Sequence, residues 1–309
     1  MTEAKLRRRD FCRTLVAGAV AAAVDGPSKA TERPFELRYI IGSCLYGRMK
    51  LEEVMAQTRR AGAEYIDIWP EQHANHREQM EAMGRQRFAA LLRDHGLKLG
   101  ILTHYDLGPF ALQAEMDVLA SLGGSMIVCG SRGPAGLEGP ALKKAVAEFV
   151  EAMKPHVDAA ERKGITIGIE NHGRSLIDST DSIRWFAEAV RSKNIGIALA
   201  PYHLPQETET IATLIADLGE RLVHFYAWQY GMGCHKKLPK NEELMQLPGR
   251  GPLDFAPLVH ALKKSGYEGW TEIFMHPVPR GIPIHPTAAE VTQEILRSRR
   301  YLDRCLSAA

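Results

Sequence analysis

From Phe35 onward, short apolar runs of strand length alternate with longer runs of helical period, eight times over. A strand separated from the next by a helix-length segment cannot return as a hairpin. The crossover sets the two strands side by side and parallel. Strand candidates are 37–44, 64–69, 97–104, 125–130, 165–170, 195–200, 222–228 and 270–275. Helical runs fill 51–61, 77–94, 113–122, 141–163, 181–191, 208–218, 255–265 and 288–302. Glycines such as Gly62, Gly96, Gly123, Gly164 and Gly266 follow the helices, where a left-handed cap residue is wanted. No GxGxxG follows the first strand, which argues against a dinucleotide-binding sheet. The pattern predicts an α/β fold: a single (β/α)8, or TIM, barrel over residues 35–309.

Alternation within each strand predicts which side chains face the axis. In Ile165-Thr166-Ile167-Gly168-Ile169-Glu170 the isoleucines share the helix-facing side, so Glu170 points inward at the strand's C-terminal end. That end is where barrel active sites sit. The same parity sends Asp67, Trp69, His104, His224, Tyr226, Trp228, Glu272 and Phe274 inward. Carboxylates, imidazoles and indoles at one mouth suit a sugar, whose C–H faces stack on flat rings and whose hydroxyls take hydrogen bonds. Trp69 reads equally as a stacking wall or as core. The Gly-rich stretch from Trp228 to Lys237 is a long loop over this face. Lys236 and Lys237 on it are either an anion contact or solvated surface. The stiff segment from His276 to Pro283 belongs to the rim.

The chain has 309 residues, with 39 Lys+Arg against 37 Asp+Glu. That near balance gives no electrostatic footprint for nucleic acid or another polyanion. Its five cysteines are scattered, without a CxxC, so neither a disulfide framework nor a zinc finger is expected. Cys44 and Cys129 read as packed thiols. Residues 1–30 differ from the rest: a basic head is followed by a mild apolar run from Thr14 to Val24. Arg8-Arg9-Asp10-Phe11 resembles a twin-arginine export signal, which implies an exported, periplasmic protein. No segment is apolar enough for a membrane span.

Several motifs resemble those of the xylose-isomerase-like superfamily of sugar isomerases and epimerases. Gly168-Ile169-Glu170-Asn171-His172 resembles its fifth-strand motif, and Ala200-Pro201-Tyr202-His203-Leu204 its sixth, normally Asp-x-x-His. Val223-His224-Phe225-Tyr226 resembles the seventh-strand His-x-His. Gly249-Arg250-Gly251-Pro252-Leu253-Asp254-Phe255 resembles its Gly-x-Gly-x-x-Asp-Phe loop, and Gly266-Tyr267-Glu268-Gly269 the lead-in to strand eight. The resemblance spans the chain from Phe35 on. It implies a divalent metal (Mn, Mg, Co or Zn) held by Glu, Asp, His and Glu from strands five to eight. Here the Asp position reads Ala200, the second His reads Tyr226, and Phe274 stands near the last Glu. Glu170, His224 and Glu272, with His203 beside them, are the donors left.

The expected function is a sugar or keto-sugar isomerase or epimerase, with Glu170 and Glu272 shuttling a proton beside a carbonyl. His203, His224, Trp69, His104, Tyr226, Trp228 and Arg250 are the candidate substrate contacts. A lyase or hydrolase on an oxidised sugar would use the same proton abstraction. A non-catalytic carbohydrate-binding barrel is the other alternative. An abasic-site endonuclease shares the fold, but it needs a histidine-rich multi-zinc site and a basic face.

Overall fold

The computed structural model describes residues 34–308. The export signal read at 1–30 lies outside the described residues. Eight parallel strands close into a barrel in chain order. They are β1 (Arg38–Gly42), β2 (Tyr65–Ile68), β3 (Lys98–Thr103), β4 (Met126–Gly130), β5 (Thr166–Glu170), β6 (Ile195–Leu199), β7 (Leu222–Ala227) and β8 (Trp270–Ile273). Pairing of β1 with β8, Ile40 opposite Glu272, shuts the ring.

Helices pack outside: α1 (Leu51–Arg60), α2 (His76–Met83), α3 (Arg85–Asp94), α4 (Gln113–Ser121), α5 (Gly139–Lys163), α6 (Thr180–Ala189), α7 (Thr208–Leu218), α8 (Lys240–Glu243), α9 (Ala256–Lys264) and α10 (Ala288–Ser307). The helix expected over 77–94 is two helices, because Gly84 adopts φ 79° and breaks the ladder between α2 and α3. Gly164 ends α5 in the left-handed region, φ 65°, as its position predicts. Ser179 and Thr287 each make a reciprocal capping box that starts α6 and α10. Among the described residues no helix is long and apolar enough to cross a membrane.

The small residues face the axis as expected. A side chain added at Gly168 would meet Val128 and Ala198 from the neighbouring strands. The fully buried Ile167, Ile169, Ile195 and Ile197 belong to the apolar core. Two pairings carry bulges. Between β2 and β3 the register shifts, so that Ile66 pairs with Leu99 but Asp67 with Ile101. Between β6 and β7, Ile197 pairs with Leu222 but Ala198 with His224. A bulge inserts one residue and reverses the parity of everything beyond it.

Candidate active site

Glu170 ends β5 at the mouth, only 3% exposed. Its ionisable neighbour is His203, whose Nε2 lies 3.7 Å from Glu170 Oε1. That is too long for a hydrogen bond. Burial pushes the Glu170 carboxyl well above the usual carboxylate range. His203 sits on a single turn, Pro201–His203, directly after β6. Burial, and then the nearby His172, His235 and Arg280, pull its pKa down to about 3. Asn171 fixes the geometry between them. Its side chain donates to the Ala200 carbonyl at 3.1 Å and accepts from the Ala200 N–H at 2.7 Å. The ends of β5 and β6 are thereby held together, and Glu170 and His203 with them.

Two cavities open here and share His172. One, about 290 Å³, is lined by His73, Tyr105, Ser131, Glu170, Ser175 and His276. The other, about 400 Å³, is lined by Arg174, Tyr202, His203, Tyr230 and His235. The His73 and His276 rings stack at 4.5 Å, and those of His172 and His203 lie 4.2 Å apart. Burial is the main cause that lowers the pKa of each of these imidazoles, to about 4 for His73 and well below the usual value for His276. They present neutral rings at neutral pH. A larger cavity, about 520 Å³, opens at the opposite end of the barrel around Arg38, Gly266 and Trp270. None of its lining side chains is a buried polar group without a partner.

Beneath the cavity lies a second, drier layer of Asp67, Thr103, His224, Tyr226 and Glu272, each at most 1% exposed. Thr103 donates to Asp67 Oδ2 at 2.7 Å. His224 Nε2 lies 3.2 Å from Glu272 Oε2, but without hydrogen-bond geometry. Burial pushes Asp67 up to about 7. Burial, then the charges of Asp67 and Glu170, push Glu272 well above its usual range. Burial also pulls His224 down to about 3, so its imidazole meets Glu272 as a neutral ring at neutral pH.

An aromatic layer separates the two levels. Phe274 packs against Trp69 at 5.1 Å, Tyr226 at 5.0 Å and Trp228 at 4.9 Å. Glu272 therefore points inward, as parity predicts, but lines neither mouth cavity. The expectation that it shares one pocket with Glu170 is corrected. At cavity height β8 has already given way to Phe274 and His276, one and three residues beyond its end.

His203 takes its expected place. Trp69, Tyr226 and Trp228 face inward as buried walls, with Trp228 Nε1 donating to Gln246 Oε1 at 3.0 Å. His104 does not reach the axis. The bulge in β3 turns Thr103 inward, and the charges that act on His104 are Glu115, Arg77, Asp106 and Glu78, on the helix side. Arg250 is no substrate contact either. Its guanidinium forks onto Glu294 of α10 with two bonds of 2.6 Å.

His73, His172 and His276 were missed as site residues. The inward parity of strand eight continues past its end to His276, so that signal was present. His73 and His172 sit on loops, where no parity applies.

The metal-ligand set does not fit. Among the described residues no group of three or more His, Cys, Asp or Glu side chains is arranged to hold a metal ion. Glu170 approaches His203, while Glu272 and His224 lie under the aromatic layer. Ala200, Tyr226 and Phe274 supply no carboxylate or imidazole at the positions where the resemblance asks for ligands.

Comparisons with known proteins agree with this architecture. A family model described as xylose isomerase-like TIM barrel matches residues 55–301. A curated relative, an inosose dehydratase from Geobacillus thermodenitrificans, is 24% identical over 62% of this chain and 68% of its own. Among solved structures, a D-allulose 3-epimerase from Methylomonas sp. in complex with D-allulose matches at TM-score 0.64 and 21% identity, over 86% of this chain and 97% of its own. The IOLI protein with a bound zinc atom matches at TM-score 0.65 and 16% identity, over 88% and 99%.

Proposed function

The chain belongs to the xylose isomerase-like TIM-barrel family, and on that premise we propose that it is an enzyme moving a proton at the carbon beside the carbonyl of a sugar or keto-sugar. One observation carries this reading: a buried carboxyl, Glu170, ends on the wall of a small cavity with no hydrogen-bond partner among the described residues. Orphaning a carboxyl there is costly unless a ligand completes it.

In its ionised form Glu170 takes the C–H proton. The electron pair moves onto the carbonyl oxygen, and a neutral imidazole N–H at the same wall, that of His203 or His276, stabilises the oxyanion. Return of the proton to the adjacent carbon completes an isomerisation. Loss of a hydroxyl from the next carbon, leaving as water with the proton that Glu170 has taken, completes a dehydration and makes the enzyme a lyase. The dehydration has its own support: among the described residues only one carboxyl lines the mouth, and the curated relative is a dehydratase. Inversion between two carboxylates on opposite faces loses support, because Glu272 is screened. The donor set does not fit a metal, so no step is routed through one.

Glu170→Gln is expected to cut turnover about a thousandfold, and to abolish exchange of the substrate C–H with solvent deuterium, with the fold intact. Turnover within a few-fold of the parent would reject the base. Binding of sugars without turnover by the parent would favour the non-catalytic barrel. Export belongs to the same set of proposals. Recovery of the chain from the periplasm, with a new N-terminus near residue 30, is the expected result.

A further inference from the structure

We propose that this mouth recognises an anionic group on its carbohydrate, a carboxylate or a phosphate, through Arg280. The proposal rests on the proton-transfer reading of the same site and names the substrate class.

Arg280 is partly buried on the loop after β8. One of its amino groups donates to the Pro277 carbonyl at 2.9 Å, and the other to Cys234 Sγ at 3.2 Å. Cys234 is bonded in turn to the Tyr202 hydroxyl at 3.0 Å. Tyr202 stacks on Trp228 at 4.0 Å and lies edge-on to His203 at 4.9 Å. This chain of contacts ties the guanidinium to Tyr202, which lines the second cavity, although Arg280 itself is on the wall of neither. Its charge is felt by His73, His172, His203 and His276 alike.

What Arg280 lacks is a counter-ion. Arg48, Arg77, Arg184 and Arg250 are each paired with a carboxylate. Arg280 has only a carbonyl and a sulfur, and no carboxylate within bridging distance among the described residues. A guanidinium carries further N–H donors in a planar fork that matches a carboxylate or phosphate. Among the described residues Glu170 is the only carboxyl lining either cavity, and Arg174 stands as a cation on the wall of the second. A part-enclosed site with two guanidiniums against a single carboxyl, that of Glu170, keeps an excess of positive charge that concentrates anions from solution. A neutral sugar would leave that charge unanswered.

The test is calorimetry on the intact chain with gluconate, glucuronate, glucose 6-phosphate and glucose as probes. Gluconate or glucuronate, or else the phosphate, is expected to bind at least about tenfold tighter than glucose, with the margin shrinking as salt rises. The stronger of the two classes identifies the anion. Arg280→Gln is expected to erase the margin and leave glucose binding unchanged, and Arg280→Lys to keep part of it. Equal binding of glucose, no binding of any anionic probe, or a margin that survives Arg280→Gln would overturn the proposal. A loss that falls equally on neutral and anionic probes, with a lowered Tm, would mean that Arg280 only anchors its loop to Cys234, and also overturns it. If Glu170→Gln keeps full turnover while the anion margin persists, the proton-transfer reading fails and this one stands.

Discussion

Two carboxyls on neighbouring levels of one barrel, Glu170 and Glu272, share a direction and differ in access. Both point to the axis, and burial raises both pKa values. Glu170 ends on a cavity wall, with an imidazole 3.7 Å away. Glu272 lies under Phe274, surrounded by Asp67, His224 and Tyr226, and is fully buried. A raised pKa alone therefore does not mark a reacting acid. What separates the two is whether anything from solution reaches the oxygen.

The largest expected effect breaks or keeps that contrast directly. Glu170→Gln is expected to lose about a thousandfold in turnover. Glu272→Gln replaces a screened carboxyl by an amide of the same shape, and is expected to stay within about fivefold. Equal losses in the two variants, measured at saturating substrate, would show that the deep layer takes part in the chemistry.

Next in size is the packing of the deep layer. A Cβ placed on Gly42 would lie 2.1 Å from Glu272 Oε1. The Glu272 side chain is fully buried, so one of the two must move. Gly42→Ala is expected to cost about 2 kcal/mol, as overpacking does, read from the urea midpoint. Adding Glu272→Ala should return part of that cost. Strict additivity of the two changes would mean that they do not touch.

The parity rule made the barrel and the inward faces of β2, β5, β7 and β8 legible before any coordinates. Glu170, His224 and Glu272 lie on the side it assigns. It failed at His104 because a single inserted residue in β3 is invisible in a run of Leu, Gly and Ile, yet it reverses every side chain beyond it. It could not place Arg250, whose partner Glu294 is 44 residues away on the last helix. Height along the axis was also hidden. Parity states which way a residue faces, and only the stagger of the strands states whether it reaches the cavity or stops beneath Phe274.

Acid titration separates the levels by a smaller amount. His224 stays neutral in the fold down to about pH 3, whereas in the unfolded chain it binds a proton near 6.5. Between those values the unfolded state holds more protons, so stability falls as pH drops through that window and is unaffected above it. Asp67 works in the opposite sense. Its folded carboxyl keeps a proton up to about 7, the unfolded one releases it near 4, and stability falls as pH rises between them. His224→Gln is therefore expected to remove about 1.4 kcal/mol per pH unit of acid sensitivity between pH 6 and 4. Urea denaturation at pH 6, 5 and 4 measures it. An unchanged slope would place a protonated, water-accessible His224 in the fold and erase the distinction between the levels.

The smallest effect concerns the rim. Arg174 holds φ 65°, the only positive φ at a non-glycine among the described residues, four positions after the end of β5. It lines the same cavity as His203. A long side chain in the left-handed region costs about 1 kcal/mol, and glycine there would relieve it at some cost in chain entropy. Arg174→Gly is expected to leave stability unchanged or raise it by about 0.5 kcal/mol, while weakening binding of the anionic probes more than that of glucose. Backbone strain at the rim would then be retained for what the side chain does, whereas the deep layer is held by packing and the Thr103–Asp67 bond. A variant with lower stability and unaltered binding would reverse that assignment, placing Arg174 among the residues that hold the loop.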